Sequence, residues 1–163
     1  MRNAIIALAL LSLAAITACS RNETTGAAQP VPASDTAGQS AIAATTVGGV
    51  TLQTSTVAVA DINETVAARY GIDRMQEGLL LLVTVRDAVG DAADPGDLQL
   101  SATVSVLPEP PKPLELRAIH TEGMTDYIGV LHATPPASVQ FRMTATRSGA
   151  RADIATTAEL YPR

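Results

Sequence analysis

The sequence predicts an all-β domain, an antiparallel β-sandwich of about seven strands with one short helix between the first two. Three observations carry this expectation. From Gly48 onward apolar residues recur mostly at every second position, the period of a strand with one face buried. Clusters of glycine, proline and aspartate interrupt that pattern at short, regular intervals. Aromatic residues are few (Phe141, Tyr70, Tyr127, Tyr161 and no tryptophan), so the core has to be assembled from Leu, Val, Ile and Ala.

The elements follow in order. Val50, Leu52 and then Val57 to Val59 predict a first strand with an irregularity in its period. Asn63 is placed to cap a helix over Glu64 to Tyr70, with Glu64 at the positive end of the dipole and Gly71 as the left-handed residue past its end. Ile62 before the cap is expected to staple onto Ala67, and Tyr70 and Ile72 to plug one end of the sandwich. Gly78 to Arg86 is a continuous apolar run of strand length, the pattern of a central strand covered on both faces.

Leu98 to Val106 alternates cleanly, and Leu114 to Thr121, Tyr127 to Ala133, Val139 to Arg147 and Ala152 to Tyr161 complete the set. Between them stand Asp87 to Gly96, the proline cluster Pro108 to Pro113, Glu122-Gly123, Thr134-Pro135-Pro136 and Ser148-Gly149. Asp126-Tyr127 at the start of a late strand has the form of a tyrosine corner, which makes the expected sandwich immunoglobulin-like. A plain buried tyrosine is the other reading of Tyr127.

Upstream of the strands the chain changes character. Met1-Arg2-Asn3, an apolar run from Ala4 to Ile16 and the tetrapeptide Ile16-Thr17-Ala18-Cys19 form a secretory leader over residues 1–18. The run spans only about 20 Å as a helix, too short for the roughly 30 Å hydrocarbon core. The tetrapeptide resembles the lipobox of bacterial lipoproteins, which implies acylation of Cys19, the only cysteine of the chain. Two or three acyl chains, at about 0.8 kcal/mol per buried methylene, would hold the protein on a bilayer. Ser20, where an aspartate would signal inner-membrane retention, favours the periplasmic face of the outer membrane. Residues 19–47, rich in Ala, Thr, Ser, Gly and Pro, read as a disordered tether about 30 Å long on average, leaving 48–163 as the folded domain.

The stretch Val66-Ala67-Ala68-Arg69-Tyr70-Gly71-Ile72-Asp73-Arg74, followed by Gly78-Leu79-Leu80, resembles the periplasmic bacterial family called domain of unknown function 4426 over about residues 48 to 163. The resemblance implies a secreted β-sandwich and brings no activity, substrate or catalytic residues. The family's arginine is usually followed by serine and a basic residue, where this chain has Met75-Gln76. The lipobox and tether are additions to the family's plain leader.

Convergent chemistry is not visible. There is no Gly-x-Ser-x-Gly elbow and no phosphate-binding glycine loop, and a hairpin near Gly123 would keep His120 and His132 more than about 10 Å apart, so no enzyme and no catalytic residue is expected. Soft ligands for copper are present in His120, Met124, His132 and Met143; Met143 belongs to the apolar alternation of Val139 to Ala145, which leaves His120 and Met124 as the candidates of an alternative copper-carrier reading. Asp87, Asp91, Asp94 and Asp97 lack the alternate-position oxygens of a calcium loop and read as a solvated acidic turn.

What remains is a binding or interaction module with no cofactor. Arg69, Asp73 and Arg74, on the helix and just past its end, and Glu109 and Lys112 in the proline cluster, are the surface residues singled out for contact. Losing Arg2 with the leader takes the formal charge from −5 to −6, which excludes nucleic acid as a partner. The expected partners are the membrane, through lipid on Cys19, and an envelope protein. The domain itself is expected to be a monomer.

Overall fold

The computed structural model describes residues 42–163; the leader, Cys19 and the tether up to residue 41 lie outside the described residues. Among the described residues nine strands form two antiparallel sheets. Strands β1 (Ile42–Val47), β2 (Val50–Ala58), β3 (Gly78–Arg86), β7 (Met124–His132) and β6 (Arg117–Thr121) make a five-stranded sheet in that order. Strands β5 (Lys112–Leu114), β4 (Gln99–Val106), β8 (Ala137–Arg147) and β9 (Ala150–Leu160) make the four-stranded sheet facing it. The expected antiparallel sandwich is therefore the fold, with the helix α1 (Glu64–Tyr70) between β2 and β3.

The core between the sheets takes Leu52, Leu79, Leu81, Val83 and Val85 from one side and Val104, Val139, Phe141, Met143 and Ile154 from the other. Met143 is thus a core side chain, as its alternation predicts. β3 is the middle strand of its sheet. Its odd positions face the core while Leu80 and Leu82 pack beneath the helix, which is why nine residues in a row carry almost no polar group.

Four expectations need correction. Ile42–Val47, assigned to the tether, is strand β1, joined to β2 by Gly48-Gly49 with Val47 opposite Val50. Both turn glycines have positive φ, as do Glu122-Gly123 and Ser148-Gly149, so three hairpins share the two-residue I′ turn whose twist matches that of the strands. The turn's first residue has little freedom to change: a Cβ on Gly48 would lie 2.6 Å from the Arg147 carbonyl oxygen.

The irregularity read into the first strand is absent, because β2 runs unbroken and fills two inward positions with Thr54 and Thr56. Thr54, 1 % exposed, places its Oγ1 2.9 Å from Thr156 Oγ1 of β9 and donates to the Ala43 carbonyl at 3.1 Å. This pair ties the two sheets with polar groups at apolar-patterned positions. Thr54→Val is expected to lower stability by about 1–2 kcal/mol, since it orphans a buried hydroxyl; adding Thr156→Val should recover most of that loss in a double-mutant cycle by chemical denaturation.

Leu114 to Thr121 is not one strand. β5 belongs to the four-stranded sheet and β6 to the five-stranded one, with the chain crossing at Glu115 and Leu116. Gly129 of β7 makes room for the crossing, because a Cβ there would meet Leu114 Cδ2 at 2.8 Å and Leu116 Cδ2 at 3.0 Å. Lastly, the helix does not plug an end of the sandwich. Ile62 and Ala67 bury with Leu80 and Ile128, and Tyr70, Ile72, Ile119 and Val130 pack around them, so the helix lies on the outer face of the five-stranded sheet as a third layer. The expected staple of Ile62 with Ala67 is part of that cluster.

At the opposite end of β3, Arg147 clasps the sandwich. Its guanidinium donates to the carbonyls of Gly48, of Pro95 at 3.0 Å and of Asp94 at 3.4 Å, joining the β1–β2 turn and the acidic loop to the end of β8.

Candidate functional site

The segment after the helix is held by side chains on both of its sides. Asn63 Oδ1 accepts from the Thr65 amide at 2.9 Å and starts the helix; Gly71, at φ 63°, ends it, with the Ile72 amide returning to the Ala67 carbonyl at 2.8 Å. Arg117 of β6 donates to the Tyr70 carbonyl, placing a cation at the negative end of the helix.

The next turn is built by Asp73. One carboxylate oxygen accepts from the Met75 amide at 3.0 Å and the other from Gln76 Nε2 at 3.2 Å. Arg74 reaches back to the Ala60 carbonyl at 3.3 Å. Gly78 then enters β3 so close to β7 that a Cβ would stand 2.0 Å from the Leu131 carbonyl oxygen.

This construction leaves an open hollow of about 170 Å³ lined by Gly71, Ile72, Asp73, Gln76, Val130 and His132. Ile72 and Val130 provide an apolar floor continuous with the cluster under the helix. Asp73, Gln76 and His132 form a polar rim. The volume suits one side chain of a partner better than a whole metabolite, for which clefts of about 300–1,000 Å³ are usual. Met75, 91 % exposed, stands on the loop beside it.

The residues singled out from sequence are distributed as follows. Arg69, exposed in the last helical turn, together with Asp73 and Arg74, belongs to this region, but Asp73 and Arg74 spend their polar groups on the loop itself. Glu109 and Lys112 lie elsewhere, at the edge of the four-stranded sheet, paired with each other at 2.8 Å and both exposed. Gln76, Val130 and His132 were not foreseen as lining residues. The parity of β7 puts Val130 and His132 on the same face as Ile128, yet nothing in the strand says which of them the helix leaves uncovered.

His120 stands opposite Thr125, its Nδ1 3.0 Å from Thr125 Oγ1, while His132 stands opposite Gly78. Seven residues of β7 separate those positions, about 23 Å. Met124 pairs with Thr121, the neighbour of His120, so Met124 and His120 project from opposite faces of the sheet. The Met124 sulfur instead accepts from Arg86 Nη1 at 3.8 Å, which puts a cation where a metal ion would have to sit. Among the described residues no three His, Cys, Asp or Glu side chains gather as a metal site.

In the acidic loop, Asp87 Oδ1 accepts from the amides of Val89 and Asp91 at 2.9 Å, and Asp94 Oδ1 from Gly96 at 2.9 Å. These carboxylates cap turns. Tyr127 packs against the main core, and its hydroxyl makes no hydrogen bond among the described residues, so it is a half-buried tyrosine and not a pinned corner. Burial, then the nearby Asp94 charge, raises its pKa.

Two aspartates respond to acid in opposite senses. The Ser148 amide, 2.9 Å from the Asp97 carboxylate, is the main cause holding its pKa below 3.8. Stability from that bond is present above the unfolded pKa and is lost as pH falls through the folded one. Burial raises the pKa of Asp126, with Arg86 only partly offsetting it, so its cost is absent in acid and grows as pH rises through the folded value. Thermal melts are therefore expected to show Asp126→Asn more stable than wild type at pH 7 with the gain gone by pH 3, and Asp97→Asn less stable at pH 7 with the loss fading in acid.

The family model described as "Domain of unknown function (DUF4426)" matches residues 44–162. Among solved structures, the fold is similar to that of a DUF4426 family protein from Pseudomonas aeruginosa PAO1, at 14% identity and a TM-score of 0.58, covering 75% of this chain and 96% of that one. It is also similar to FetP of uropathogenic E. coli strain F11, recombinantly expressed in the periplasm of E. coli, at 9% identity and a TM-score of 0.50, covering 77% and 97%. No curated protein sequence matches the chain.

Proposed function

The chain belongs to the DUF4426 family, and from that premise we propose that it is a periplasmic lipoprotein whose sandwich is a non-catalytic interaction module held near a membrane. The observation that carries this reading is the hollow beside the helix. It has an apolar floor, a polar rim and the volume of one side chain; its lining holds no nucleophile beside His132, and Asp73 is spent on its own turn. A loop that spends Asp73 and Arg74 on its own shape is held in place ahead of contact, which lowers the entropic cost of docking.

Export is supported by the leader and by the periplasmic source of the FetP material. Anchoring rests on Cys19 at the end of Ile16-Thr17-Ala18, and the outer membrane on Ser20. The partner is an envelope protein that inserts a side chain between Ile72 and Val130.

Two measurements test this. Cys19→Ala should release the protein from the membrane fraction and abolish an acyl-sized mass increment on the mature N-terminus; retention in the membrane would overturn the anchor. Photo-crosslinking side chains placed at Arg69, Met75 and, as a control at the far end of β3, Val89 should give one discrete adduct from the first two and none from the third. Equal labelling from all three would remove the hollow as the contact site.

A further inference from the structure

β9 ends the four-stranded sheet; among the described residues its main chain pairs with β8 alone, while β1 of the facing sheet runs close along its buried side chains. It spans eleven residues in unbroken register with β8 and contains neither proline nor glycine. The other end of the same sheet is treated differently: β5 has three residues, Pro113 among them, and follows Pro110-Pro111, so it offers a neighbour few donors. A long regular edge without such protection is a template for another strand.

The side chains of β9 select what that strand is. Ile154, Thr156 and Leu160 are buried against the facing sheet, while Arg151, Asp153, Ala155, Thr157 and Glu159 are exposed on the outer face. Laid antiparallel to itself about Ala155, the strand sets Arg151 opposite Glu159 of a second copy, and the reverse, with Asp153 opposite Thr157 and the small Ala155 opposite itself. Cross-strand pairs of opposite charge stabilise a sheet and like pairs oppose it.

Shifting the register by two residues one way sets Asp153 opposite Glu159 twice. Shifting it the other way sets Arg151 opposite Thr157 and Asp153 opposite Ala155, with no ion pair. A shift of one residue turns the buried face outward. One register survives. The present partners of these charges, Arg151 with Asp153 at 3.3 Å and Glu159 with Ser138 at 2.6 Å, are exposed and exchange at little cost.

We infer that β9 is a self-association edge, through which two copies join their four-stranded sheets into one eight-stranded sheet about a two-fold axis at Ala155. This departs from the monomer expected from sequence. The chain's formal charge of −5 opposes association in general, so the paired Arg151–Glu159 contacts are what permit it.

Cysteine crosslinking in cells making the full chain tests the register. Ala155→Cys brings two sulfurs within disulfide reach across the axis, whereas two Thr157→Cys positions stand about 13 Å apart. With the parent chain, whose sole cysteine is Cys19, as the blank, Ala155→Cys should give at least ten-fold more reducible dimer than Thr157→Cys. Adding Glu159→Arg should cut that yield at least five-fold, and adding Arg151→Glu to it should restore it. Equal dimer from the two cysteine positions, or a yield indifferent to Glu159→Arg, would overturn the proposal; an unchanged melting temperature shows that each variant folds.

Discussion

Replacing Gly78 by alanine is expected to destabilise the domain by more than about 3 kcal/mol, measured as the shift in chemical-denaturation midpoint at constant slope. The new Cβ would lie 2.0 Å from the Leu131 carbonyl oxygen and 3.0 Å from its carbon, backbone atoms that cannot swing aside. Relief requires β3 and β7 to separate at Gly78–His132, and His132 lines the hollow. Gly71→Ala provides the contrast. Gly71 also has positive φ but meets nothing within 4 Å, so its cost should stay near the roughly 1–2 kcal/mol of left-handed strain. If the two variants lose stability equally, the close approach is not what demands glycine at position 78.

The second large effect is expected at Phe141, the one phenylalanine of the chain, 2 % exposed in the middle of the core. Phe141→Ala should cost about 3–5 kcal/mol, because the ring leaves a cavity that short aliphatic neighbours cannot refill. Its strand neighbours in register are Val104 on β4 and Thr156 on β9, small residues with no volume to spare. Phe141→Leu should recover more than half of the loss. Since Phe141 lies between the sheets and the hollow lies on the outer face, the leucine variant should leave photo-crosslinking at Met75 unchanged.

Much of the fold was legible because its signals are local. The helix and both of its caps, the β3 run and the alternation of β4 and β8 each reside in contiguous residues whose period reports a face. Where the reading missed, the missing information was non-local. Threonines in β2 look like an interrupted strand until Thr156 is seen to face them across the core. Ile42–Val47 looks like spacer because an edge strand with one face in water needs little apolar character.

Leu114 to Thr121 keeps a single period of two while passing between sheets, since alternation records which side a residue faces and not which sheet it joins. The hollow was half visible. The segment Arg69 to Arg74 was singled out, but Gln76, Val130 and His132 come to it from a loop and from a strand more than fifty residues away.

By itself, then, the sequence determined the all-β class, the helix α1 with its boundaries, the central place of β3 and the aliphatic make-up of the core, all consequences of period, capping and composition within short windows. The tertiary structure alone decided that the helix forms a third layer on the outer sheet face, that His120 and Met124 diverge, that Arg147 clasps two loops, and that β9 stands at an edge. These depend on which strands become neighbours. Neighbours are chosen by the packing of the whole chain, a balance of burial and chain entropy that no short window contains.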